Sequence, residues 1–149
     1  MMVHSFTPGA TVSMEKSVYW QLTIDREHRL VRLVRTPEPY AQLVDIGASF
    51  LFVDRQLVDV DRKQYRLLVD LREGPRRNDS AFEAEMERFR RALVVSFRRT
   101  ALVVKSATGL LQVKRHMQQD GALQAGVFMG ETQAIQFLQK VTLLAQKGP

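Results

Sequence analysis

Apolar and polar residues alternate near the start of the chain. In residues 18–25 the positions on one face of the pattern are Val18, Trp20, Leu22 and Ile24. A period of two with aromatic and β-branched residues predicts a half-buried strand. Residues 29–35 follow a short polar link, so the two segments together predict an antiparallel hairpin. Pro37 and Pro39 end the pairing, because proline has no amide proton to donate.

The apolar spacing becomes helical from Tyr40 to Val60. Gly47 interrupts this helix, and a glycine costs about 1 kcal/mol relative to alanine in a helix interior. We therefore expect Gly47 to mark a close crossing with the sheet. A short strand over residues 50–53 is the alternative interpretation, because Phe50, Leu51, Phe52 and Val53 are all apolar.

A strand, a loop and a helix follow in residues 65–97. Residues 67–71 form an almost continuous apolar run, which is typical of a strand covered on both faces. Ser80 and Glu83 have the spacing of a capping box at a helix start. The helix carries one apolar stripe, made of Phe82, Met86, Phe89, Leu93 and Phe97.

Two more strand–helix pairs complete the pattern. They are a strand at 101–104 with a helix capped by Ser106 or Thr108, and a strand at 125–129 with a helix at 132–144. Strands that alternate with helices predict parallel pairing through right-handed crossovers. The predicted fold class is α/β: a single-domain mixed sheet with an N-terminal antiparallel hairpin, parallel core strands and about four helices. We expect a flexible leader at 1–16, the domain at 17–145 and a tail at 146–149.

Charge and composition bear on two questions: whether the protein binds nucleic acid, and in which compartment it is found. There are 22 Lys and Arg residues against 16 Asp and Glu residues, with a net charge of +6, but the basic residues are interspersed with acidic ones. This distribution is typical of solvated faces and does not indicate specific nucleic-acid binding. The sequence has no cysteine, secretory signal or apolar run long enough to cross a bilayer, so we expect a cytoplasmic protein.

The candidate chemistry lies where the predicted parallel strands end. In open α/β sheets ligands bind beyond the carboxyl ends of the strands, and helix N-termini there attract anions. A partner or an anion would be bound by polar residues of these loops: Arg72, Arg76, Arg77, Asn78, Asp79, Ser80, Lys105, Ser106 and Thr108. The alternative is that the serines only cap helices and the arginines are solvated.

No residue set predicts catalysis. Asp70, at a strand end, is expected to accept hydrogen bonds from loop amides. His116 has no second ligand at a helical spacing that would form a metal site, and no nucleophile beside it. The glycines form no phosphate-binding motif. We therefore expect a non-catalytic protein without cofactor or metal.

At this point the chain resembles a STAS-type domain (sulfate transporter and anti-sigma-factor antagonist) of the SpoIIAA-like branch. The resemblance covers about residues 18–142. It rests on the opening pair of strands at 18–35, on the covered strand at 67–71 that leads to Asp79-Ser80, on the strand at 101–105, and on the terminal segment Val127-Phe128-Met129-Gly130-Glu131-Thr132.

The resemblance implies a bacterial regulatory and signalling module. Bacterial antagonists of this family carry an Asp-Ser pair whose serine is phosphorylated, and by position that serine is Ser80. The present chain has Ala81-Phe82 where the family has a small residue and glycine, and Arg77-Asn78 where it has an apolar pair. Relatives in the lipid-carrier superfamily imply an apolar ligand as the lesser alternative.

Two functions are therefore predicted. The first is binding of a protein partner through the loop and helix around residues 72–91. The second is binding of an anionic or lipid-like small molecule between the sheet and the helix at 40–60. Exposed apolar residues such as Phe52 also allow a homodimer.

Overall fold

The computed structural model describes residues 12–75, 79–120 and 124–140. Within these residues the strands are β1 (Val12–Lys16), β2 (Trp20–Asp25), β3 (Leu30–Arg35), β4 (Arg66–Asp70), β5 (Arg99–Val103) and β6 (Ala125–Phe128). The α-helices in the same part of the chain are α1 (Leu43–Gln56), α2 (Ser80–Ser96), α3 (Ala107–Asp120) and α4 (Glu131–Gln139). A short 3₁₀ turn, Arg62–Gln64, precedes β4.

All six strands form one sheet in the order β1-β2-β3-β4-β5-β6. The first three strands pair antiparallel, and β3 to β6 pair parallel. This arrangement confirms the predicted α/β class, with its antiparallel hairpin and parallel core. The sheet grows in one direction only, so right-handed crossovers would place all three connecting helices on the same face.

The two faces of the sheet are covered unequally. Side chains of α1, α2 and α3 belong to one large apolar core with β2 to β6, centred on Trp20, Leu22, Leu33, Leu67 and Leu102. The opposite face has a smaller core, in which Ala134 and Leu138 of α4 pack on Leu68, Ala101 and Val103. Because α4 contacts only β4, β5 and β6 closely, Val12 and Met14 of β1 stay exposed on that face.

Strand β1 corrects the expected leader of residues 1–16. Residues 12–16 pair along their whole length with β2. Their inward-facing side chains are Ser13 and Glu15, which are buried although they are polar. The alternating pattern therefore has no apolar phase on the core side, and hydrophobic periodicity alone does not reveal this strand. Residues 1–11, the end of the last predicted helix and the tail lie outside the described residues.

Residues 50–53 belong to helix α1, so the alternative strand is wrong. Gly47 is expected to lie at a crossing with the sheet, but it contacts α2 instead. A Cβ at Gly47 would lie 3.3 Å from Cζ of Phe89, which belongs to α2 and not to the sheet. The Phe89 ring stacks on Phe50 with a centroid separation of 5.3 Å and an interplanar angle of 12°. Gly47 therefore allows a close α1–α2 crossing. None of the described helices is both long and apolar enough to span a bilayer.

Candidate functional site

The parallel strands end at one edge of the sheet, and we call this edge the rim. The β4–α2 and β5–α3 loops meet there, since Arg72, Glu73 and Gly74 line an open cleft together with Lys105 and Ser106. The third predicted loop, at 130–132, leads into α4 on the opposite face. The expected gathering of loop ends is therefore present, but the helices that follow are divided between the two faces.

The helix caps at the rim differ in part from the prediction. Asp79, not Ser80, is the N-cap of α2, and its carboxylate accepts hydrogen bonds from the amides of Ala81 and Phe82. Ser80 is the exposed first residue of the helix. Aspartate and serine are comparable N-caps, and the extended backbone of Asp79 puts its carboxylate in the capping position, where the helix dipole also favours a negative charge. Ser106 caps α3, because its hydroxyl accepts a hydrogen bond from the Gly109 amide at 3.1 Å.

Arg72 is held in an ion-pair network. Its guanidinium donates two hydrogen bonds to Asp70, at 3.0 and 2.7 Å, and one to Glu131 at 3.3 Å. Arg32 also pairs with Glu131, at 2.9 Å. Asp70 further accepts the Arg72 amide, so the expectation that it binds a loop amide is confirmed. The bond from Arg72 lowers the pKa of Asp70, so this carboxylate is ionised at neutral pH.

The remaining candidates divide into described and undescribed residues. Arg76, Arg77 and Asn78 lie outside the described residues. Lys105 and Thr108 are exposed. Arg72 is paired with two carboxylates, and the binding of an anion by the predicted basic cluster stays a prediction.

A cavity of about 360 Å³ opens between α2 and α3, below the rim. Its walls are largely apolar and come from the β4–α2 loop, from α2 and from α3: Leu71, Pro75, Phe82, Met86 and Val113. The polar groups include Glu83 of α2 and Gln112 of α3, which hydrogen-bond across the gap at 3.2 Å. Pockets of this size and composition are typical of small-molecule sites.

Arg35, the last residue of β3, lines the same cavity. It is only 4% exposed. Its guanidinium donates to the carbonyl oxygens of Thr36 at 2.7 Å and Tyr19 at 3.3 Å, and it forms no ion pair with a carboxylate in the described part of the chain. Burial lowers the pKa of Arg35, but an arginine stays protonated at neutral pH. The cavity therefore has a buried cation without an opposite charge bound to it.

Aromatic rings hold Arg35 in place. Its Cζ atom lies 4.4 Å from the ring centroid of Tyr40, 5.5 Å from that of Tyr19 and 5.8 Å from that of Trp20. These contacts stabilise the cation electrostatically without neutralising it. On its other side the aliphatic stem contacts the β4–α2 loop, where a Cβ at Gly74 would lie 3.0 Å from Cγ of Arg35.

The ring of Tyr40 is fixed by a buried hydroxyl cluster. Ser49 donates to the carbonyl of Ile46 and accepts from the Trp20 indole N–H. Since the one proton of Ser49 is used in this way, the Tyr40 hydroxyl donates to Ser49, at 2.7 Å. Burial raises the pKa of Tyr40, which keeps the phenol neutral. The three rings around Arg35 are therefore held in place and uncharged, and the carboxylate of Glu38 acts on the guanidinium through space without an ion pair to it in the described part of the chain.

Arg35 itself is the sequence signal for this site, because it is a charged residue at a position where the strand pattern predicts a buried apolar one. Val31, Leu33 and Arg35 occupy the same inward-facing phase of β3, so an arginine stands where the alternation calls for an apolar residue. A charge in the buried phase of a strand indicates a functional group or a paired one.

The predicted ligand position is between the sheet and the helix at 40–60, and of this segment Tyr40 lines the cavity. Ile46, Phe50 and Val53 of α1 are buried against the sheet and fill that space. The cavity lies one helix further along, between α2 and α3. The described residues include no group of three His, Cys, Asp or Glu side chains arranged to hold a metal ion.

Comparison with protein-family models, curated proteins and solved structures gives no match for this chain. The STAS resemblance therefore stays a prediction.

Proposed function

We propose that this protein is a non-catalytic binding module whose ligand is a small amphiphilic anion. The single observation that carries the proposal is the buried, unneutralised guanidinium of Arg35 at the wall of an apolar cavity. An anionic group placed against Arg35 would form a charge-assisted hydrogen bond in a poorly solvated environment. The apolar part of the ligand would lie against Phe82, Met86 and Val113.

The size of the cavity supports a ligand of limited length. A volume of about 360 Å³ is near the lower end of the range for small-molecule sites. A medium-chain fatty acid or an aromatic carboxylate has the required chemistry: one anionic group and a compact apolar body.

The test is calorimetric titration of the protein with decanoate and with decanol, which has the same chain but no charge. We expect wild type to bind decanoate, and Arg35→Met to weaken that binding at least about tenfold while decanol binding is retained. Decanol binding also verifies that the variant has kept its fold and its cavity.

Arg32→Met is the matched control. Arg32 lies on the same strand but on the opposite face, where it pairs with Glu131. Its removal is expected to leave decanoate affinity unchanged. Absence of decanoate binding to wild type at millimolar concentration, or equal loss in both variants, would refute the proposal.

The other predicted function, binding of a protein partner through residues 72–91, stays a prediction. It depends in part on Arg76 and Arg77, which lie outside the described residues. The exposed position of Ser80 at the start of α2 is compatible with a phosphoacceptor but does not favour one, because the adjacent Asp79 carboxylate would repel a phosphate.

A further inference from the structure

Helix α1 is apolar on both of its sides. Ile46, Phe50 and Val53 face the core. On the opposite side, Val44, Ala48 and Leu51 lie within about 60° of one another at 100° per residue, and Val58 follows in the turn after the helix. We call these four residues the outer stripe. The exposed side chain of Arg55 lies in the same sector, so the outer side is apolar from Val44 to Leu51 and carries one cation before Val58. A helix that is apolar on its outer side as well as on its core side is often covered by a partner there.

The stripe is strongly exposed in the single chain. Val58 is 85% exposed, Val44 69% and Leu51 49%. Scattered apolar residues on a surface need no explanation, whereas several exposed apolar residues on one side of a helix are typical of an interaction site.

We propose that the protein forms a two-fold symmetric homodimer in which the outer stripes of two α1 helices pack antiparallel. A two-fold contact requires a surface that is complementary to itself. The stripe meets this requirement, because Val44 and Val58 lie seven residues on either side of Leu51. In an antiparallel pair centred on Leu51, Val44 of one copy faces Val58 of the other, and Leu51 faces itself.

The charges on α1 select the antiparallel direction. Asp45 lies in the first turn and Arg55 in the last turn. Antiparallel packing brings the acidic first turn of one helix beside the basic last turn of the other, and it also opposes the two helix dipoles. Parallel packing would instead place like charges together.

A second copy fits this surface better than an anionic membrane does. Residues 41–61 contain four aspartates and one arginine, although the whole chain has a net charge of +6. An acidic segment is repelled by anionic lipid headgroups. The stripe is also flanked by carboxylates that are already paired, with Asp54 bound to Arg62 and Asp59 bound to Arg26.

Sedimentation velocity over a range of concentrations tests the oligomeric state. We expect a dimer for wild type, and Leu51→Glu to raise its dissociation constant by about 100-fold or more, because the substitution places two carboxylates at the symmetry axis. Leu111→Glu is the matched control, since Leu111 is 61% exposed on α3, and it is expected to leave the dimer unchanged. A wild type that stays monomeric up to about 500 µM, or a dimer that survives Leu51→Glu, would overturn the proposal.

Disulfide trapping tests the geometry, and the chain is suited to it because it has no cysteine. Leu51→Cys should form a cross-linked dimer on oxidation with diamide, since position 51 faces its own copy. Val44→Cys alone should not, because two copies of position 44 would lie about 20 Å apart along the axis. A mixture of Val44→Cys and Val58→Cys proteins should cross-link. Efficient cross-linking of Val44→Cys alone would exclude the antiparallel arrangement.

Discussion

The seam between α1 and α2 and the seam between α2 and α3 lie side by side on the same face of the sheet, yet one is closed and the other is open. At the first seam, Gly47 lets Phe89 approach the α1 backbone and stack on the buried Phe50. At the second seam, Phe82 and Met86 of α2 face a cavity. There Glu83 of α2 and Gln112 of α3 form a hydrogen bond across the gap. Gly47 therefore allows an aromatic side chain of α2 to complete the core at the first seam, while Phe82 lines a pocket at the second.

The largest expected difference between the two seams is in the cost of removing a side chain. Phe50→Ala should lower the free energy of unfolding by about 3–5 kcal/mol, because the cavity it leaves is enclosed by packed neighbours. Met86→Ala should cost about 1 kcal/mol, since this half-buried side chain already faces open space. Urea unfolding of both variants checks the comparison. Equal losses would show that the second seam is as well packed as the first.

A bulkier residue at the crossing tests the role of the glycine. Gly47→Val should destabilise the protein by about 2 kcal/mol, because the new side chain would push Phe89 out of its stack on Phe50. Ala84→Val, on the exposed side of α2, is the control and should cost only about 0.5 kcal/mol through helix propensity. If the two variants had the same midpoint in thermal unfolding, the close approach at Gly47 would have no energetic importance.

The smallest expected effect concerns the loop that leads into α2 at the open seam. Asp70 holds this loop through Arg72, and this hydrogen bond lowers the pKa of Asp70. A lowered pKa means that the pair stabilises the fold at pH values above the pKa of an unfolded aspartate, and that this stabilisation is lost as the pH falls through the folded value.

Asp70→Asn should therefore cost about 1 kcal/mol at pH 7, a modest figure because the Arg72 side chain is partly exposed. The difference from wild type should shrink below about pH 4. Chemical unfolding at several pH values provides the measurement. A difference that is independent of pH between 3 and 7, on the order of the full effect, would mean that the charge of Asp70 is unimportant.

The sequence predicts the sheet better than it predicts the site, and particular residues show why. The runs at 67–71 and 101–104 are apolar on both faces, so they identify covered parallel strands without further information. Strand β1 cannot be predicted from an apolar pattern, because the polar residues Ser13 and Glu15 occupy its buried positions. Helix α1 has apolar residues on its outer side as well as on its core side, so residues 50–53 form an unbroken apolar run. For this reason the sequence also allows a strand at 50–53.

The cavity cannot be derived from the pattern at all. It depends on the spacing between α2 and α3, which no local sequence feature fixes. Arg35 is visible in the sequence, but its burial becomes evident only when the phase of β3 is known from its neighbours. Ser80 illustrates a further limit, since Asp79 and Ser80 are both good caps and only the backbone geometry decides between them.

The strictly consecutive strand order has a consequence for how the chain reaches this structure. Each strand pairs with the one synthesised just before it, so during translation every newly emerged segment meets a docking edge that already exists. The two hairpin links are only a few residues long, whereas each parallel pairing closes a connection of about 20–30 residues. The entropy cost of loop closure rises only logarithmically with length, so the added cost of the longer connections is limited. The strands can therefore be added to the sheet one after another, in the order in which they are synthesised.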